Sequence, residues 1–507
     1  MSDDRGPRRG GTGRGSGKQT RAPRTDPARR AAYQVLHQVH AEDAYANLVL
    51  PGLLRERGIT GRDAAFATEL AYGTLRLRGR YDAILALASG RDVDSLDPPV
   101  RDVLRLGAHQ LLGMRVPSHA AVAESVSLAR EVAGPAPTGL VNAVLRKVAG
   151  RDVEDWLDDV ADAVRDSGGE WFDVAAAVES HPAWVVRALR QALVADGRDP
   201  RELGDLLDAD NTPARVTLVA RPGWSSVGEL GRQARDLGAD VEQHPLPGAV
   251  DLVGIAPGEL ADVATGRAAV QDAGSQLVAH ALLAADLTDG RTDDGGTWLD
   301  LCAGPGGKAA LLAARAQERG ALLVANEVQP HRADLVRRAV ERAGESVRVT
   351  VGDGRRAGEL MPADGPDGGP DGATRILLDA PCTGLGALRR RPEARWRRST
   401  DDLAQLAELQ HELFEAAAGA LAVGGVLAYV TCSPHVTETR AQVTRLLRGS
   451  PGLALLDTGA ITRSVAGGLA DLVTGSPVEG AEGTVVQLWP HVHGTDAMFL
   501  ALLRREG

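Results

Sequence analysis

The 507-residue chain has few cysteines and few aromatic residues, and both shortages restrict its possible functions. Its 3 cysteines are an odd number and widely spaced, which argues against a disulfide framework and for a reducing, cytoplasmic location. No C-x-x-C or H-E-x-x-H spacing occurs, so we expect no metal site. With 3% aromatic residues, broad stacking platforms for single-stranded nucleic acid are not expected.

Long apolar runs are also missing. No run approaches the ~18 residues of a membrane-spanning helix, so no membrane partner is expected. The N-terminus carries charges and glycines in place of an apolar segment, so we do not expect a secretory signal. A net charge of −11 argues against a protein that simply coats nucleic acid.

Positive charge is nevertheless concentrated at the N-terminus. The first 30 residues hold nine Lys and Arg against three Asp, and they are rich in glycine. Residues 1–27 therefore predict a disordered basic tail. The sequence leaves open whether this tail only solubilises the chain or binds phosphate groups without specificity.

The remaining chain is predicted to form several domains. Apolar residues at helical spacing predict an all-α domain over 28–150, with a helix start signalled by the prolines at 98 and 99. Residues 151–179 are acidic and Ala-rich, which predicts a helical connector. An alternating strand pattern at 214–219 indicates a small α/β domain over 180–285.

Residues 286–507 alternate apolar runs with helical stretches, which predicts a doubly wound parallel sheet. Two Gly- and Asp-rich stretches, 288–297 and 364–373, are predicted to be surface loops. The predicted strands, with a last pair at the end of the chain, are 298–301, 321–325, 347–351, 375–379, 426–431, 484–488 and 497–503.

Each cysteine directly follows one of these predicted strands. Cys302, Cys382 and Cys432 should therefore lie at the carboxyl edge of the sheet, where open α/β sheets bind ligands. Their gathering at that edge, with no cysteine elsewhere in the chain, indicates thiol chemistry rather than packing.

The first of these strand ends carries a Gly-rich turn that leads into a helix. Glycines allow a ligand to approach the backbone closely, and the helix N-terminus offers free N–H groups. Glu327 ends the next strand, where a ribose hydroxyl needs an acceptor, and Asp353 ends the third, where it can meet an adenine edge. The pattern of a Walker loop is absent, and a nucleoside site beside two thiols favours S-adenosylmethionine. The predicted cofactor loop is Cys302, Ala303, Gly304, Pro305, Gly306, Gly307 and Lys308.

Three motifs resemble the signatures of RNA 5-methylcytosine methyltransferases. They are CAGPGGK at 302–308, DAPCTGLG at 379–386 and TCSP at 431–434. The resemblance runs over most of 180–507 and includes QDAGSQ at 271–276 and DAMF at 496–499. It implies a Rossmann-like class I methyltransferase fold for 286–507, with S-adenosylmethionine as the cofactor.

The resemblance also explains the two thiols. Carbon 5 of cytosine is a poor nucleophile until a thiolate adds at carbon 6, and a second thiol can assist proton removal or product release. The resemblance implies attack by Cys432 and release by Cys382. Sequence chemistry alone does not settle these roles, because cytosine-5 DNA enzymes attack with the cysteine of their Pro-Cys motif, which here is Cys382. Asp379 can bind the methionine end of the cofactor or the cytosine amino group, and the resemblance implies the cofactor.

Two residues of the cofactor loop have open roles. Lys308 is expected to lower a thiol pKa or to contact the cofactor carboxylate, with simple solvent exposure as the alternative. Cys302 is expected to contribute backbone contacts and no thiol chemistry.

An arginine-rich segment follows the Pro-Cys loop. Six arginines surround Trp396, which suits phosphate binding, while Trp396 itself is expected to pack in the core. A solvated loop is the alternative. The predicted RNA contacts are Arg389, Arg390, Arg391, Arg395, Arg397 and Arg398.

Some positions depart from the family pattern. Glu438-Thr439-Arg440 stands where Glu-Asn-Glu is commoner, and Glu327 stands where Asp is commoner. Ala497 and Met498 replace a usual Gly-Phe pair. These departures concern loop packing, and every residue that the resemblance assigns to chemistry is present.

Residues 28–150 resemble the RNA-binding NusB family in short stretches such as LAYGT at 70–74 and LRLGAHQL at 104–111. Fused to this catalytic domain, they resemble the bacterial enzymes that methylate one cytosine of 16S ribosomal RNA. The resemblance implies RNA, foremost 16S rRNA, as the partner of a monomer, with the NusB-like domain either docking RNA or acting as a scaffold.

Two other hypotheses stay open. The same reaction on transfer RNA or another RNA is possible, because the catalytic motifs do not specify the substrate. An RNA-binding antitermination or assembly factor with a dormant methyltransferase domain is the hypothesis from another class. Amino-group methylation is disfavoured, because no Asn-Pro-Pro-Tyr-type motif occurs and two thiols would have no function in it.

Overall fold

The computed structural model describes residues 25–287, 295–362 and 372–506. The predicted N-terminal tail up to residue 24 and most of the two predicted surface loops lie outside the described residues. Within the described ranges, no helix is both long enough and apolar enough to cross a bilayer.

Seven helices form the N-terminal domain, as the periodicity predicts. The Asp26 side chain caps the first helix by accepting a hydrogen bond from the Arg29 N–H at 2.8 Å, and Pro98 opens the fifth, where the sequence signals a helix start. The apolar faces meet in one core that includes Leu36, Leu70 and Val103. The helices are α1 (Pro27–Ala41), α2 (Ala46–Glu56), α3 (Gly61–Arg76), α4 (Arg78–Ser89), α5 (Pro98–Leu112), α6 (Ser118–Ala133) and α7 (Thr138–Val148).

The acidic connector is helical, and its first helix is part of the N-terminal core. It contains α8 (Val153–Asp166) and α9 (Trp171–Val178). Trp156 and Val160 are each 2% exposed and pack in the same core as Leu36. Burial of Trp156 thus fixes α8 to the N-terminal domain, beyond the boundary predicted at residue 150.

The middle part of the chain has a four-stranded antiparallel sheet with the order β2-β3-β1-β4. Its last helix, α14, packs in the core of the catalytic sheet through Leu277 and Ala281, which are buried there with Ala428. The boundary at 285 therefore stays a prediction. The elements are α10 (Ala183–Ala195), α11 (Leu203–Asn211), β1 (Val216–Ala220), α12 (Val227–Asp236), β2 (Asp240–Gln243), β3 (Ala249–Val253), α13 (Ala261–Ala264), β4 (Ala268–Val270) and α14 (Ala273–Ala284).

The C-terminal part is built on a nine-stranded sheet with helices on both faces. Its strands are β5 (Thr297–Asp300), β6 (Leu322–Asn326), β7 (Val347–Thr350), β8 (Ala373–Asp379), β9 (Leu421–Thr431), β10 (Leu453–Leu455), β11 (Gly475–Pro477), β12 (Thr484–Gln487) and β13 (Phe499–Arg505). Its helices are α15 (Gly307–Arg319), α16 (Pro330–Val340), α17 (Ala357–Leu360), α18 (Ala394–Arg397), α19 (Thr400–Ala420), α20 (Arg440–Gly449), α21 (Thr458–Val465) and α22 (Pro490–His493).

The strand order of this sheet is β11-β12-β13-β9-β8-β5-β6-β7, with β10 beside β13. Strands β5 to β9 run parallel to one another, and β13 runs antiparallel to β9. The predicted fold class, a doubly wound sheet behind a helical domain and a small α/β domain, is confirmed. Because β5, β8 and β9 are adjacent and parallel, their carboxyl ends lie at one edge of the sheet.

Candidate active site

Two thiols face each other where the central strands β8 and β9 end. The Pro-Cys loop leaves β8 at Asp379, and Cys432 directly follows β9. The Sγ atoms of Cys382 and Cys432 are 3.4 Å apart. The Gly386 N–H donates to the Cys432 carbonyl at 2.9 Å, so the two loops are joined by backbone as well.

The surroundings of the two thiols differ in charge. A hydrogen bond from the Cys382 thiol lowers the pKa of Cys432. The Lys308 and Arg391 cations act in the same direction, and together they outweigh burial and the Asp379 carboxylate, which raise it. The same hydrogen bond raises the pKa of Cys382, as do its burial and the carboxylates of Glu438 and Asp379. Cys432 is therefore the better thiolate, and Cys382 retains its proton.

Lys308 is anchored beside this pair. Its Nζ lies 2.8 Å from the Asp379 carboxylate, and its side chain is 11% exposed, which excludes the solvent-exposed alternative. Burial alone would lower the pKa of Lys308, but the Asp379 carboxylate more than offsets it and the pKa is raised. A fixed positive charge therefore stands close to Cys432.

The Gly-rich loop between β5 and α15 has the features of a ligand cradle. A Cβ atom at Gly304 would lie 2.0 Å from Glu327 Oε2, so only glycine leaves this space open. Gly306 has a φ of 109° and precedes α15, whose N-terminus carries no side-chain cap. Burial strongly raises the pKa of the Cys302 thiol, which argues against thiol chemistry there.

Two predicted nucleoside contacts lie at the ends of the next strands. Glu327 is 4% exposed and accepts a hydrogen bond from the Gln329 N–H at 2.9 Å. Asp353 follows β7, and its carboxylate is bound by Arg355, which lowers its pKa to about 2. The Asp353 carboxylate is therefore a charged acceptor at neutral pH.

Asp300 is a site residue that the sequence reasoning missed. It ends β5 and is 1% exposed, and no described side chain donates a hydrogen bond to its carboxylate, which has the Cys302 backbone N–H nearby. Burial raises the pKa of Asp300 to about 8, with the Asp379 carboxylate acting in the same direction. A cationic ligand group at the cradle would lower this pKa and stabilise the buried carboxylate, so the position suits such a group. The place of Asp300 at a strand end was the available signal.

A second missed group holds the Pro-Cys loop. The fully buried Glu438 accepts hydrogen bonds from the Thr383 N–H at 2.8 Å and the Gln410 amide at 3.1 Å. Ser433, next to Cys432, lies 3.2 Å from the Thr383 hydroxyl. This network fixes both cysteine loops, although the sequence marked Glu438 only as part of a departure from the family pattern.

The prediction that the six arginines contact RNA is wrong for Arg395. This side chain is 0% exposed and donates to the carbonyls of Ser180 at 2.9 Å and Asp210 at 3.1 Å. It has no surface left for a phosphate.

Three further arginines of that segment are also engaged within the protein. Arg389 is buried and donates to the Gly494 carbonyl at 3.0 Å, and Arg390 pairs with the buried Asp496 at 2.9 Å. Arg397 is 15% exposed and pairs with Asp43 at 3.0 Å. Arg389 and Arg397 are thus bound to protein groups, and their contact with RNA stays a prediction.

Arg390 retains partial exposure, at 37% of its side chain. Arg391 is exposed, Arg398 is half-buried, and neither forms an ion pair within the described ranges. Trp396 packs beside Gly79 of the helical domain, with the Arg78 guanidinium 5.4 Å from its ring. The segment is thus mainly a joint between domains. Over the described parts of the chain, no group of three or more His, Cys, Asp and Glu is placed to hold a metal.

The chain is similar to known proteins over most of its length. The family model described as 16S rRNA methyltransferase RsmB/F matches residues 290–504, and the NusB family model matches residues 26–150. A Mycobacterium tuberculosis protein named as a methyltransferase is 49% identical over 491 residues, 96% of this chain and 99% of the relative. The ribosomal RNA small subunit methyltransferase B of Salmonella paratyphi C is 33% identical over 434 residues, 85% of this chain and 92% of the relative.

Solved structures agree on the fold. The crystal structure of PH0851 has a TM-score of 0.72 at 20% identity and covers 96% of this chain and 100% of its own. The structure of NSun6 from Pyrococcus horikoshii with SFG has a TM-score of 0.50 at 19% identity, covering 63% of this chain and 98% of its own.

The nine-stranded sheet, its Gly-rich cradle and the thiol pair at its edge define an S-adenosylmethionine-dependent RNA methyltransferase. The chain belongs to the RsmB/F family of 16S rRNA methyltransferases and carries the NusB domain at its N-terminus.

Proposed function

We propose that the protein methylates carbon 5 of a specific cytosine in 16S rRNA through a covalent bond between Cys432 and carbon 6 of that base. The observation that carries this proposal is the 3.4 Å distance between the two thiols beside the Lys308–Asp379 pair. The name of the Salmonella relative and the NusB domain support 16S rRNA. This substrate places the reaction in the bacterial cytoplasm, and a monomer remains the prediction for the oligomeric state.

The first step needs a thiolate. Cys432 supplies it, because the Cys382 hydrogen bond and the nearby Lys308 cation stabilise its charged form. When its sulfur bonds to carbon 6, the electron pair of the C5–C6 double bond makes carbon 5 nucleophilic. The target base must leave its stack first, since a thiol cannot reach carbon 6 inside a helix.

The second step forms the new carbon–carbon bond at carbon 5. Bound S-adenosylmethionine would supply an electrophilic methyl group there, its methyl–sulfur bond breaking with the electron pair kept by the sulfur as the new bond forms. The chain would orient the two reactants: the Gly304 cradle and Glu327 would hold the nucleoside end, together with Asp353, and Asp300 would face the cationic methionine end. Asp379, paired with Lys308 at 2.8 Å, stands between that site and the thiols.

The last step releases the product. The proton on carbon 5 passes to water, its electron pair restores the C5–C6 double bond, and the bond from Cys432 to carbon 6 breaks with the sulfur leaving as a thiolate. The Cys382 thiol, 3.4 Å from Cys432, stabilises the departing thiolate by a hydrogen bond. The pKa of Cys382 is raised, so this thiol keeps the proton of that hydrogen bond at neutral pH.

Methyl transfer from labelled S-adenosylmethionine to deproteinised 16S RNA, 23S RNA and transfer RNA tests the proposal. We expect 5-methylcytosine in 16S RNA alone, and none with Cys432→Ala. Label in another nucleoside would refute the cytosine-5 assignment, and 5-methylcytosine in transfer RNA would favour the alternative substrate. If no RNA is labelled, the assay is repeated on assembling small subunits. A Cys432→Ala protein that still fulfils its cellular role would support the assembly-factor hypothesis.

A further inference from the structure

Tyr45 brings the N-terminal domain to the edge of the active site. It precedes α2, and its side chain is 40% exposed. Two arginines of the segment that follows the Pro-Cys loop lie against its ring: the guanidinium carbon of Arg397 is 4.7 Å from the ring centroid and that of Arg391 is 5.9 Å. An aromatic side chain of one domain is therefore held beside cations of another.

The residues before and after Tyr45 make contacts that hold its ring in place. Arg397 donates to the Ala44 carbonyl and pairs with Asp43 at 3.0 Å. The Ala46 N–H donates to the buried Glu393 carboxylate at 3.3 Å. Since these contacts fix residues 43–46, Tyr45 needs little further ordering to bind a ligand.

Arg391 links this ring to the reacting thiol. Its N–H donates to the Ala387 carbonyl at 2.9 Å, and Gly386 is bonded to the Cys432 carbonyl at 2.9 Å. Its positive charge is near enough to favour the thiolate of Cys432. Arg391 is exposed, and no described carboxylate pairs with it.

An exposed aromatic ring next to an unpaired arginine matches one kind of ligand in particular. A nucleotide offers a flat base that stacks on the ring and a phosphate that neutralises the cation. A neighbour of the target base must lose a stacking partner when the target leaves the helix, and a protein ring can replace that partner.

We propose that Tyr45 and Arg391 form a rim that holds the RNA nucleotide next to the target cytosine, with the base on Tyr45 and a phosphate on Arg391. This inference rests on the proposed function, and it gives the NusB-like domain a direct contact with the substrate. It also assigns the stacking role to Tyr45, while Trp396 is packed against the helical domain.

Binding of the full-length protein to a 16S RNA transcript, followed over a range of salt concentrations, tests the rim. Tyr45→Ala should weaken binding by about tenfold, the usual size of one lost base stack, while Tyr45→Phe stays within about twofold of wild type. Arg391→Gln should lower the slope of log K against log salt by about one, which Tyr45→Ala should not do. Leu48→Ala is the matched control, because Leu48 is 70% exposed in α2, the helix that Tyr45 precedes.

Equal RNA affinities for Tyr45→Ala and Leu48→Ala would overturn the rim, as would an unchanged salt slope for Arg391→Gln. Thermal unfolding checks that all variants are folded, and the exposure of both side chains favours this. RNA binding is measured without turnover. A result that refutes the rim can therefore be distinguished from a result that refutes the proposed function. The latter would appear as a wild-type protein that binds 16S RNA yet makes no 5-methylcytosine.

Discussion

Cys382 and Cys432 carry the same functional group, and their neighbours make them different. The Lys308 and Arg391 cations act on Cys432 against the Asp379 carboxylate, whereas the carboxylates of both Glu438 and Asp379 raise the pKa of Cys382. The sequence placed both cysteines at strand ends, but it could not separate their roles. The assignment depends on charges that lie tens of residues away along the chain, including Lys308.

This asymmetry predicts the order in which the thiols react. Iodoacetamide should modify Cys432 faster than Cys382 and Cys302 at neutral pH, because the pKa of Cys432 is lowered. In Cys382→Ala the hydrogen bond to Cys432 is lost, so the apparent pKa of Cys432 should rise. Rates of alkylation against pH, read by peptide mass spectrometry, measure both effects.

Cys302→Ala is the control for this experiment and should leave the pH profile of Cys432 unchanged. Preferential alkylation of Cys382, or a Cys382→Ala protein with an unshifted profile, would contradict the assigned roles.

The role of Glu438 could not be predicted from the sequence. Its hydrogen-bond partners Thr383 and Gln410 are 55 and 28 residues away in the chain. No spacing rule connects them, so the sequence could not show that a buried carboxylate holds the Pro-Cys loop.

At the scale of elements, apolar periodicity predicted the central strands within a few residues. It placed the fifth strand at 426–431, whereas β9 begins at Leu421. Gly424, with a φ of 78°, and Gly425 interrupt the apolar pattern inside that strand. The three-residue strands β10 and β11 were missed, because so short a run carries no periodicity.

A substitution in the loop between β5 and α15 should weaken cofactor binding. Gly304→Ala should displace the Glu327 carboxylate, which a Cβ would approach to 2.0 Å. Loss of its hydrogen bond to the ligand should weaken S-adenosylmethionine binding by about tenfold or more, measured by titration calorimetry. Gly419→Ala in α19, where a Cβ meets nothing within 4 Å, is the matched control. A Gly304→Ala protein with the affinity of this control would argue against the assigned cradle.

His280, in helix α14, should make the stability of the protein depend on pH. Burial lowers the pKa of His280 from 6.5 to about 4, so between these values the unfolded chain binds more protons at this site than the folded one. His280 thus makes stability fall as pH drops from 6.5 to 4. His280→Gln should flatten this slope by up to ~1.4 kcal/mol per pH unit, measured by urea unfolding at several pH values.

The pH slope of His280→Gln must be compared with that of the wild type, because other groups change the unfolding free energy with pH in the opposite direction. Burial raises the pKa of Asp272 to about 6, which favours the folded state at lower pH. His119→Gln, at an exposed position, should leave the slope unchanged. A wild-type slope in His280→Gln would disprove the assignment to His280.

At the scale of the whole molecule, one buried arginine joins three parts of the chain. Arg395 donates to the carbonyls of Arg76 in the helical domain, Ser180 after the connector and Asp210 in the middle domain. The sequence predicted the domains and their order. It did not predict this joint, because an arginine in a basic segment is on average exposed, and only tertiary partners bury it.

Arg395→Met should therefore destabilise the assembled molecule. The substitution leaves several buried acceptors unpaired, which costs roughly 3–5 kcal/mol of unfolding free energy in comparable buried sites. Chemical denaturation followed by tryptophan fluorescence measures this loss, with Arg398→Met as the control within about 0.5 kcal/mol of wild type. Equal stabilities of the two variants would show that Arg395 is not a joint.

The central claim concerns which sulfur bonds to the base, and trapping the protein–RNA adduct tests it most directly. Cys382→Ala and Cys432→Ala are each incubated with S-adenosylmethionine and 16S RNA, then denatured, and the linked peptide is identified by mass spectrometry. We expect a stable adduct through Cys432 in Cys382→Ala and no adduct in Cys432→Ala. An adduct through Cys382 in the Cys432→Ala protein would contradict it.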